Sequence, residues 1–195
     1  MTRDEEAMAG GHEVTSPRRR RRVGDLPRQQ AGHALIEAAL IFPILLGLFL
    51  GVSEFSEAFT VSRRLQGAAH TTADLVARMQ TVTTQELDGI KAMIDETLKP
   101  FPVASLGLIV TSVVADEDGA TTTVEWSEAR GTGAVPHAAG TTLKLPAGLV
   151  AAEESVVFAE IKYLFQSTLA TMIVGKVPLH AEAYLRPRLG QKVLK

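Results

Sequence analysis

The chain has 195 residues, a formal net charge of −2 and an isoelectric point of about 6.2. This length suffices for one domain of ordinary size and an anchor. The absence of cysteine excludes disulfide frameworks, thiol catalysis and cysteine-based zinc sites. The near-neutral charge of the whole chain argues against a nucleic-acid-binding protein, because such proteins usually carry an excess of basic residues.

The first 32 residues are expected to form a basic leader. Residues 15–32 hold six arginines against one acid, Asp25. The arginines are Arg18, Arg19, Arg20, Arg21, Arg22 and Arg28. Such a run also occurs in nucleic-acid-binding and nuclear-targeting patches, but this one directly precedes an apolar stretch. Because the positive flank of a membrane span stays in the cytoplasm, the arginines predict a cytoplasmic N-terminus and a C-terminal region on the other side of the membrane.

An apolar stretch follows the leader. AALIFPILLGLFLGV, at residues 38–52, carries no charge, and residues 34–36 extend it to 19 residues broken only by Glu37. A helix needs about 20 mostly apolar residues to cross a bilayer. The stretch is longer than the core of a secretory signal, which has about 7–15 residues, and no small-residue cleavage pattern follows it. We therefore expect a retained transmembrane segment at residues 33–53.

Three residues inside this segment bear on helix packing. Pro43 lacks the N–H that a helix would use at this point, which is expected to kink or loosen it. Gly47 and Gly51 form a small-xxx-small pair that allows a second helix to approach closely, although glycine is common in membrane helices in general. On a helical wheel Glu37, the two glycines and Glu54 fall on one side. That side is therefore expected to pack against protein rather than lipid.

Glu37 is a charge that a simple anchor does not need. A carboxylate at the centre of a membrane costs about 2.5 kcal/mol or more, and less near the interface, so a charge at the cytoplasmic end of the span can also be an accident of the boundary. Acids inside a membrane usually have a partner. If the chain is cut between Gly32 and His33, Glu37 becomes the fifth residue of the new chain. The new amino group of His33 would then offer a positive partner, in the same chain or in a neighbouring copy.

Two helices are predicted in this half of the chain. Apolar residues recur at three- and four-residue steps from the anchor onward, which predicts one helix over about 34–80. Its part beyond the membrane is expected to cover residues 54–80. Thr83 and Glu86 then fit a capping box. A second, amphipathic helix starts there and ends before Pro100.

Four strands are predicted after the helices, from runs of β-branched and alternating residues. They cover residues 106–115, 121–129 and 154–165, and a closing strand begins at Pro178. The order predicts an α+β head over residues 81–190, in which the helices cover one face of an antiparallel, four-stranded meander. Trp126 is expected to pack in the core or on a face of the sheet. Residues 191–195 are expected to form a short tail.

The sequence contains no motif typical of an enzyme. Its five histidines fall in no metal-ligand pattern, and it has no P-loop, nucleophile elbow or dinucleotide-binding fingerprint. His180 and Glu182 share a face of the last strand, but a solvated strand face explains them better than a metal. His70 and Asp74 are interpreted as a surface pair, and the DEDG at 116–119 as a polar turn. We therefore expect no enzyme, no metal and no cofactor.

The order of these segments resembles the TadE/TadG-like proteins of the tight-adherence (Flp) pilus system, which are type IV pilin-like. The stretches that carry the resemblance are GHALIEAALIFPILLGLFLGVSEF, VEWS, LPAGLVAAEESVVFAEIKY and LHAEAYLRPR. Gly32, followed after four residues by Glu37 and then by the apolar span, is similar to a prepilin peptidase site. Family anchors often carry Glu-Phe where this chain has Glu37 and Ala38, a departure that bears on recognition by the peptidase.

The resemblance implies a minor pilin or pseudopilin of the bacterial inner membrane with a periplasmic head, cut between Gly32 and His33 and needed for pilus assembly. The implied partners are the prepilin peptidase, the major pilin, other minor pilins, the inner-membrane assembly platform and membrane lipid, and no nucleic acid. Glu37 would set the register of each subunit. The alternative is an unprocessed single-pass envelope protein whose periplasmic α+β head is a scaffold or binds a ligand.

Overall fold

The computed structural model describes residues 26–117, 121–146, 149–167, 175–190 and 192–195. The chain divides into two compact units, Met1–Leu46 and Gly47–Lys195. The leader arginines Arg18, Arg19, Arg20, Arg21 and Arg22 lie outside the described residues, as does the side chain of Arg28. The end of the predicted DEDG turn, residues 118–119, lies outside them as well.

Two helices precede the sheet. α1 covers Leu26–Ala77, with Pro43 inside it, and α2 covers Thr84–Leu98. The predicted capping box at the start of α2 is confirmed: Glu86 donates its backbone N–H to the side chain of Thr83, and its carboxylate accepts the backbone N–H of Thr83 at 2.7 Å. This exchange satisfies N–H groups that have no partner inside the helix. The bond from the Thr83 backbone also lowers the pKa of Glu86.

Four antiparallel strands form one sheet. They are β1 (Gly107–Ala115), β2 (Thr122–Gly131), β3 (Ser155–Phe165) and β4 (Val177–Leu185), arranged in the order β2-β1-β3-β4. The predicted strands are confirmed, but the predicted meander is wrong, because β3 pairs with β1 instead of β2. The long connection between β2 and β3 allows β3 to return to the far side of β1. β1 is consequently central and buried along almost its whole length, which is typical of a continuous apolar run.

In the second unit, the helices and one face of the sheet enclose the main core. Its members include Val61, Leu65, Val76, Leu87, Ile94, Leu98, Leu108, Val110, Ile161 and Tyr163. Trp126 belongs to this core, which is one of the two predicted placements, and its indole N–H donates to the carbonyl of Val193 at 2.8 Å. Val193 is fully buried in the same cluster. The segment predicted to be a tail therefore contributes to the core.

The opposite face of the sheet, here called the outer face, carries a smaller apolar cluster of Val113, Val124 and Val156. The register between β1 and β2 shifts at Ser112/Val113, so that Glu125 is the extra residue of a β-bulge. The bulge places Trp126 on the helix side although Val124, two residues earlier, belongs to the outer face. Part of the connection between β2 and β3 pairs with β2 through the N–H of Val124 and the carbonyl of Thr141 at 2.9 Å.

Gly131 is the residue whose replacement tests this topology. Its φ is +84°, and an added Cβ would lie 2.1 Å from the carbonyl oxygen of Leu106. We expect Gly131→Ala to lower the free energy of unfolding by at least the 1–3 kcal/mol typical of a strained backbone. The measurement is urea unfolding of the full chain in micelles, followed by the fluorescence of the single tryptophan, Trp126.

Gly89→Ala in α2 is the matched control. A Cβ at Gly89 meets no atom within 4 Å, so the substitution is expected to stabilise the head by up to about 1 kcal/mol through helix propensity. Equal unfolding midpoints for Gly131→Ala and the unmodified chain would contradict the close approach at the end of the β1–β2 hairpin.

Candidate functional site

The apolar part of α1 is not covered by protein in the described part of the chain. All but one of its large side chains, Leu50, are between 42% and 74% exposed. They are Leu35, Ile36, Leu40, Ile41, Phe42, Ile44, Leu45, Leu46, Leu48, Phe49, Val52 and Phe55. Among the described residues, α1 from Gly32 onward is the one helix long and apolar enough to cross a membrane. Because soluble monomers rarely expose so large an apolar patch, this surface requires lipid or other helices around it.

The residues predicted for processing and helix packing lie along this surface. Gly32, His33 and Glu37 are helical and exposed. A side chain placed on Gly47 or Gly51 would meet no atom within 4 Å. The surface beside these two glycines is therefore open to a second helix, and within the described residues Glu37 has no ion-pair partner.

The last turns of α1 are tied to the segment after β4. Asp74 forms ion pairs with Arg78 and Arg188, each at 2.7 Å, rather than with His70 as the sequence suggested. The backbone N–H of Arg188 also donates to the carbonyl of Ala77 at 2.8 Å. This bond supplies one of the partners that carbonyls at a helix C-terminus need. Farther up the helix, Ser167 donates a hydrogen bond to Glu54.

The outer face of the sheet brings together a cluster of titratable side chains. Glu160 of β3 and Glu182 of β4 are direct cross-strand partners. His180 lies two residues before Glu182 on β4, and His137 reaches the same place from the connection between β2 and β3. With Tyr184, these residues are called the outer-face cluster below.

Each carboxylate of this cluster has one oxygen near His180 and the other held by a different group. His180 Nε2 lies 2.7 Å from Oε1 of Glu182 and 3.9 Å from Oε1 of Glu160. The remaining oxygens contact His137 Nε2 and the hydroxyl of Tyr184, both at 2.6 Å. The Glu160 side chain is 9% exposed, while those of His180 and Glu182 are 43% and 41% exposed. A nearly buried carboxylate therefore lies behind two half-exposed groups.

Tyr184 shifts the pKa of the neighbouring Glu182. The hydrogen bond from its hydroxyl lowers the pKa of Glu182, against the opposing effect of burial, and His180 lowers it further. Burial and the adjacent carboxylate raise the pKa of Tyr184 itself well above its usual range. The Tyr184 ring stacks on Phe158 with 4.5 Å between the ring centroids, so packing fixes the position of the hydroxyl.

Sequence patterns indicated only part of this cluster. The shared face of His180 and Glu182 is confirmed by their contact. Glu160 and His137 were not singled out, although the inward alternation of Val157, Ala159 and Ile161 in β3 already required Glu160 to face outward. Alternation could not predict the register between β3 and β4 or the contact of His137 with Glu160, because both depend on the tertiary structure.

The exposed apolar helix and the packed α+β head fit a membrane-anchored, single-pass protein. Residues 32–74 match the family model TadE, described as TadE-like protein. The match lies wholly inside α1, confirms the resemblance to TadE/TadG-like proteins over that segment, and supports a protein associated with a tight-adherence pilus. No curated protein and no solved structure matches the chain.

Removal of the Tyr184 hydroxyl tests the electrostatics of the outer face. Tyr184→Phe keeps the stacked ring but deletes the bond to Glu182, so we expect the pKa of Glu182 to rise toward its usual value. The measurement is an NMR titration of the carboxyl carbon. A lowered pKa stabilises the fold above the ordinary carboxyl pKa of about 4.3, and this stabilisation disappears as the pH falls through the folded-state pKa. Acidification should therefore destabilise the variant less.

Tyr163→Phe is the control. The Tyr163 hydroxyl donates to the carbonyl of Pro102 at 2.8 Å, and its side chain belongs to the main core. This change is expected to leave the pKa of Glu182 where it is. If Tyr184→Phe also leaves it unchanged, the role given to Tyr184 is wrong.

Proposed function

We propose that this protein is a minor pilin or pseudopilin of a bacterial tight-adherence (Flp, type IVc-like) pilus. It is inserted in the inner membrane, cut by the prepilin peptidase between Gly32 and His33, and acts in pilus assembly or enters the fibre. The observation that carries the proposal is the TadE-like match over residues 32–74, which begins at the glycine of the proposed cleavage site. TadE-like pilus proteins are structural components rather than enzymes.

The surface of α1 supports this role. A fibre of pilin-like subunits requires helices that leave lipid and pack on one another, and the apolar side chains of α1 are exposed for such packing. Gly47 and Gly51 offer a strip without side chains, where a neighbouring helix can approach closely. The major pilin and other minor pilins are the proposed partners at this strip, and lipid surrounds it before assembly.

Glu37 has a specific role in the proposal. After cleavage, the amino group of His33 provides a positive charge four residues before Glu37. Glu37 then pairs with this amine in a neighbouring subunit and sets the register between the two helices. A buried ion pair of this kind adds little net stability, but loss of one partner leaves an uncompensated charge that costs about 3–5 kcal/mol.

The backbone around the proposed cleavage site bears on the mechanism. α1 begins at Leu26, so the bond between Gly32 and His33 lies inside a helix and must unwind to enter a peptidase. Gly32 eases unwinding, because glycine costs about 1 kcal/mol relative to alanine in a helix interior. The same continuous helix is the observation that favours the second candidate, an unprocessed single-pass envelope protein with an α+β head.

The direction of insertion follows from charge in this proposal. The leader arginines, Arg18 to Arg22 and Arg28, hold the N-terminus in the cytoplasm, where the prepilin peptidase and the inner-membrane assembly platform meet it. The head then lies in the periplasm. Cleavage would remove all six arginines together with the rest of the leader.

Substitution of Glu37 tests its role in register. We expect Glu37→Ala to leave cleavage and membrane insertion intact but to reduce incorporation into purified pili by roughly 10-fold or more, the factor that corresponds to 1.4 kcal/mol or more. Incorporation is measured by immunoblot of sheared fibres against the membrane fraction. Glu57→Ala, which removes an exposed acid from the same helix, should assemble normally. If Glu37→Ala is incorporated normally, Glu37 does not set the register between the helices.

Substitution of Gly32 tests processing. Gly32→Leu places a bulky, helix-favouring side chain beside the proposed scissile bond, and we expect the leader to remain attached in nearly all molecules. The readout is the shift of the band on a gel, with the mass of the intact chain. Gly47→Leu makes the same change inside the apolar span, where no described atom lies within 4 Å, and should be cut like the unmodified chain. Full cleavage of Gly32→Leu would exclude Gly32 as the recognition residue.

A further inference from the structure

The outer-face cluster places two carboxylates next to each other. Glu160 and Glu182 lie directly opposite each other on β3 and β4, and like charges in that arrangement destabilise a sheet. The Glu160 side chain is 9% exposed, and a buried charge is costly unless it is paired. One of its oxygens contacts His137 Nε2 at 2.6 Å. A cation between the two carboxylates would reduce their repulsion.

The atoms around this position have the spacing of metal ligands. Glu160, His180 and Glu182 each offer one ligand atom, and these atoms lie within 4.8 Å of one another. A tetrahedral zinc ion has bonds of about 2.0–2.1 Å, which sets neighbouring ligand atoms about 3.3 Å apart. The distances from His180 Nε2 to the two carboxylates, 2.7 Å and 3.9 Å, fall on either side of that value. Small side-chain rotations would therefore bring the three atoms to bonding distance.

The second oxygen of each carboxylate is held by a neighbouring side chain. The Glu160 oxygen that faces away from His180 contacts His137 Nε2, and the corresponding Glu182 oxygen accepts a hydrogen bond from Tyr184. Hydrogen bonds of this kind orient ligating carboxylates and contribute to metal affinity. The stacking of Tyr184 on Phe158 fixes the position of the Tyr184 side chain.

We propose that Glu160, His180 and Glu182 form a zinc site on the outer face of the head, with His137 and Tyr184 orienting the two carboxylates. An imidazole with two carboxylates suits zinc better than calcium or magnesium, which prefer oxygen ligands only. His180 and Glu182 are half exposed, so the fourth coordination position is left to solvent. The site is independent of the proposed role in a pilus.

Zinc binding to the full chain in detergent micelles tests the site. Titration with zinc chloride against a chelator of known affinity is expected to give one ion per chain. His180→Gln, Glu182→Gln and Glu160→Gln each keep a similar side-chain shape but lose a ligand, and each should weaken binding by roughly 10-fold or more. His70→Gln, on the exposed surface of α1, is the control and should bind zinc like the unmodified chain.

Thermal unfolding gives a second readout. A ligand that binds the folded state raises the unfolding midpoint, so zinc should raise it for the unmodified chain and for His70→Gln but not for the ligand variants. If Glu160→Gln fails to fold, the half-exposed His180→Gln and Glu182→Gln decide the question. Absence of saturable binding by the unmodified chain would overturn the site. Equal binding by all variants would also do so, because it would place the ion on other groups such as His12 or His33.

Discussion

The structure depends on α1, because one part of this helix exposes apolar side chains and another part is buried in the core of the head. The apolar side chains of α1 near its start are exposed, whereas those from Val61 to Ala77 include a fully buried stripe in the core of the head. At about 25 cal/mol per Å² of apolar surface, exposure of the first stretch to water would be strongly unfavourable. That stretch therefore requires lipid or other helices, and the second stretch requires α2 and the sheet. One helix thus couples an anchor to a head.

Local sequence signals predicted the elements of the head better than their arrangement. The capping box at Thr83 and the alternation in β3 identified an α+β head because each depends on neighbours in sequence. The predicted strand order was wrong. A meander requires each strand to pair with the next one in sequence, whereas here β1 pairs with both β2 and β3. The bulge at Glu125 could not be predicted from alternation either. Alternation with a period of two places Val124 and Trp126 on the same face, but the extra residue puts them on opposite faces.

Among the candidate sites, those formed by neighbours in sequence were predictable, and those that depend on the tertiary structure were not. The anchor was predictable because its hydropathy and length are properties of a continuous segment. The contact of His180 with Glu182 followed from their two-residue spacing in one strand, but that of Glu160 with His137 depends on a long loop that crosses the outer face. Val193, expected in a tail, lies under Trp126, and no local pattern indicates such a contact between residues 67 positions apart.

In the proposed role, the apolar surface of α1 becomes covered by other pilin-like helices after the basic leader is removed, since the positive flank of a membrane span is expected to stay in the cytoplasm. The most direct measurement is the mass-spectrometric identification of the N-terminus in membranes with and without an active prepilin peptidase. If the chain is processed as proposed, its N-terminus is His33 only when the peptidase is active. A chain that retains its leader under both conditions, or one cut at a different bond, would exclude processing between Gly32 and His33.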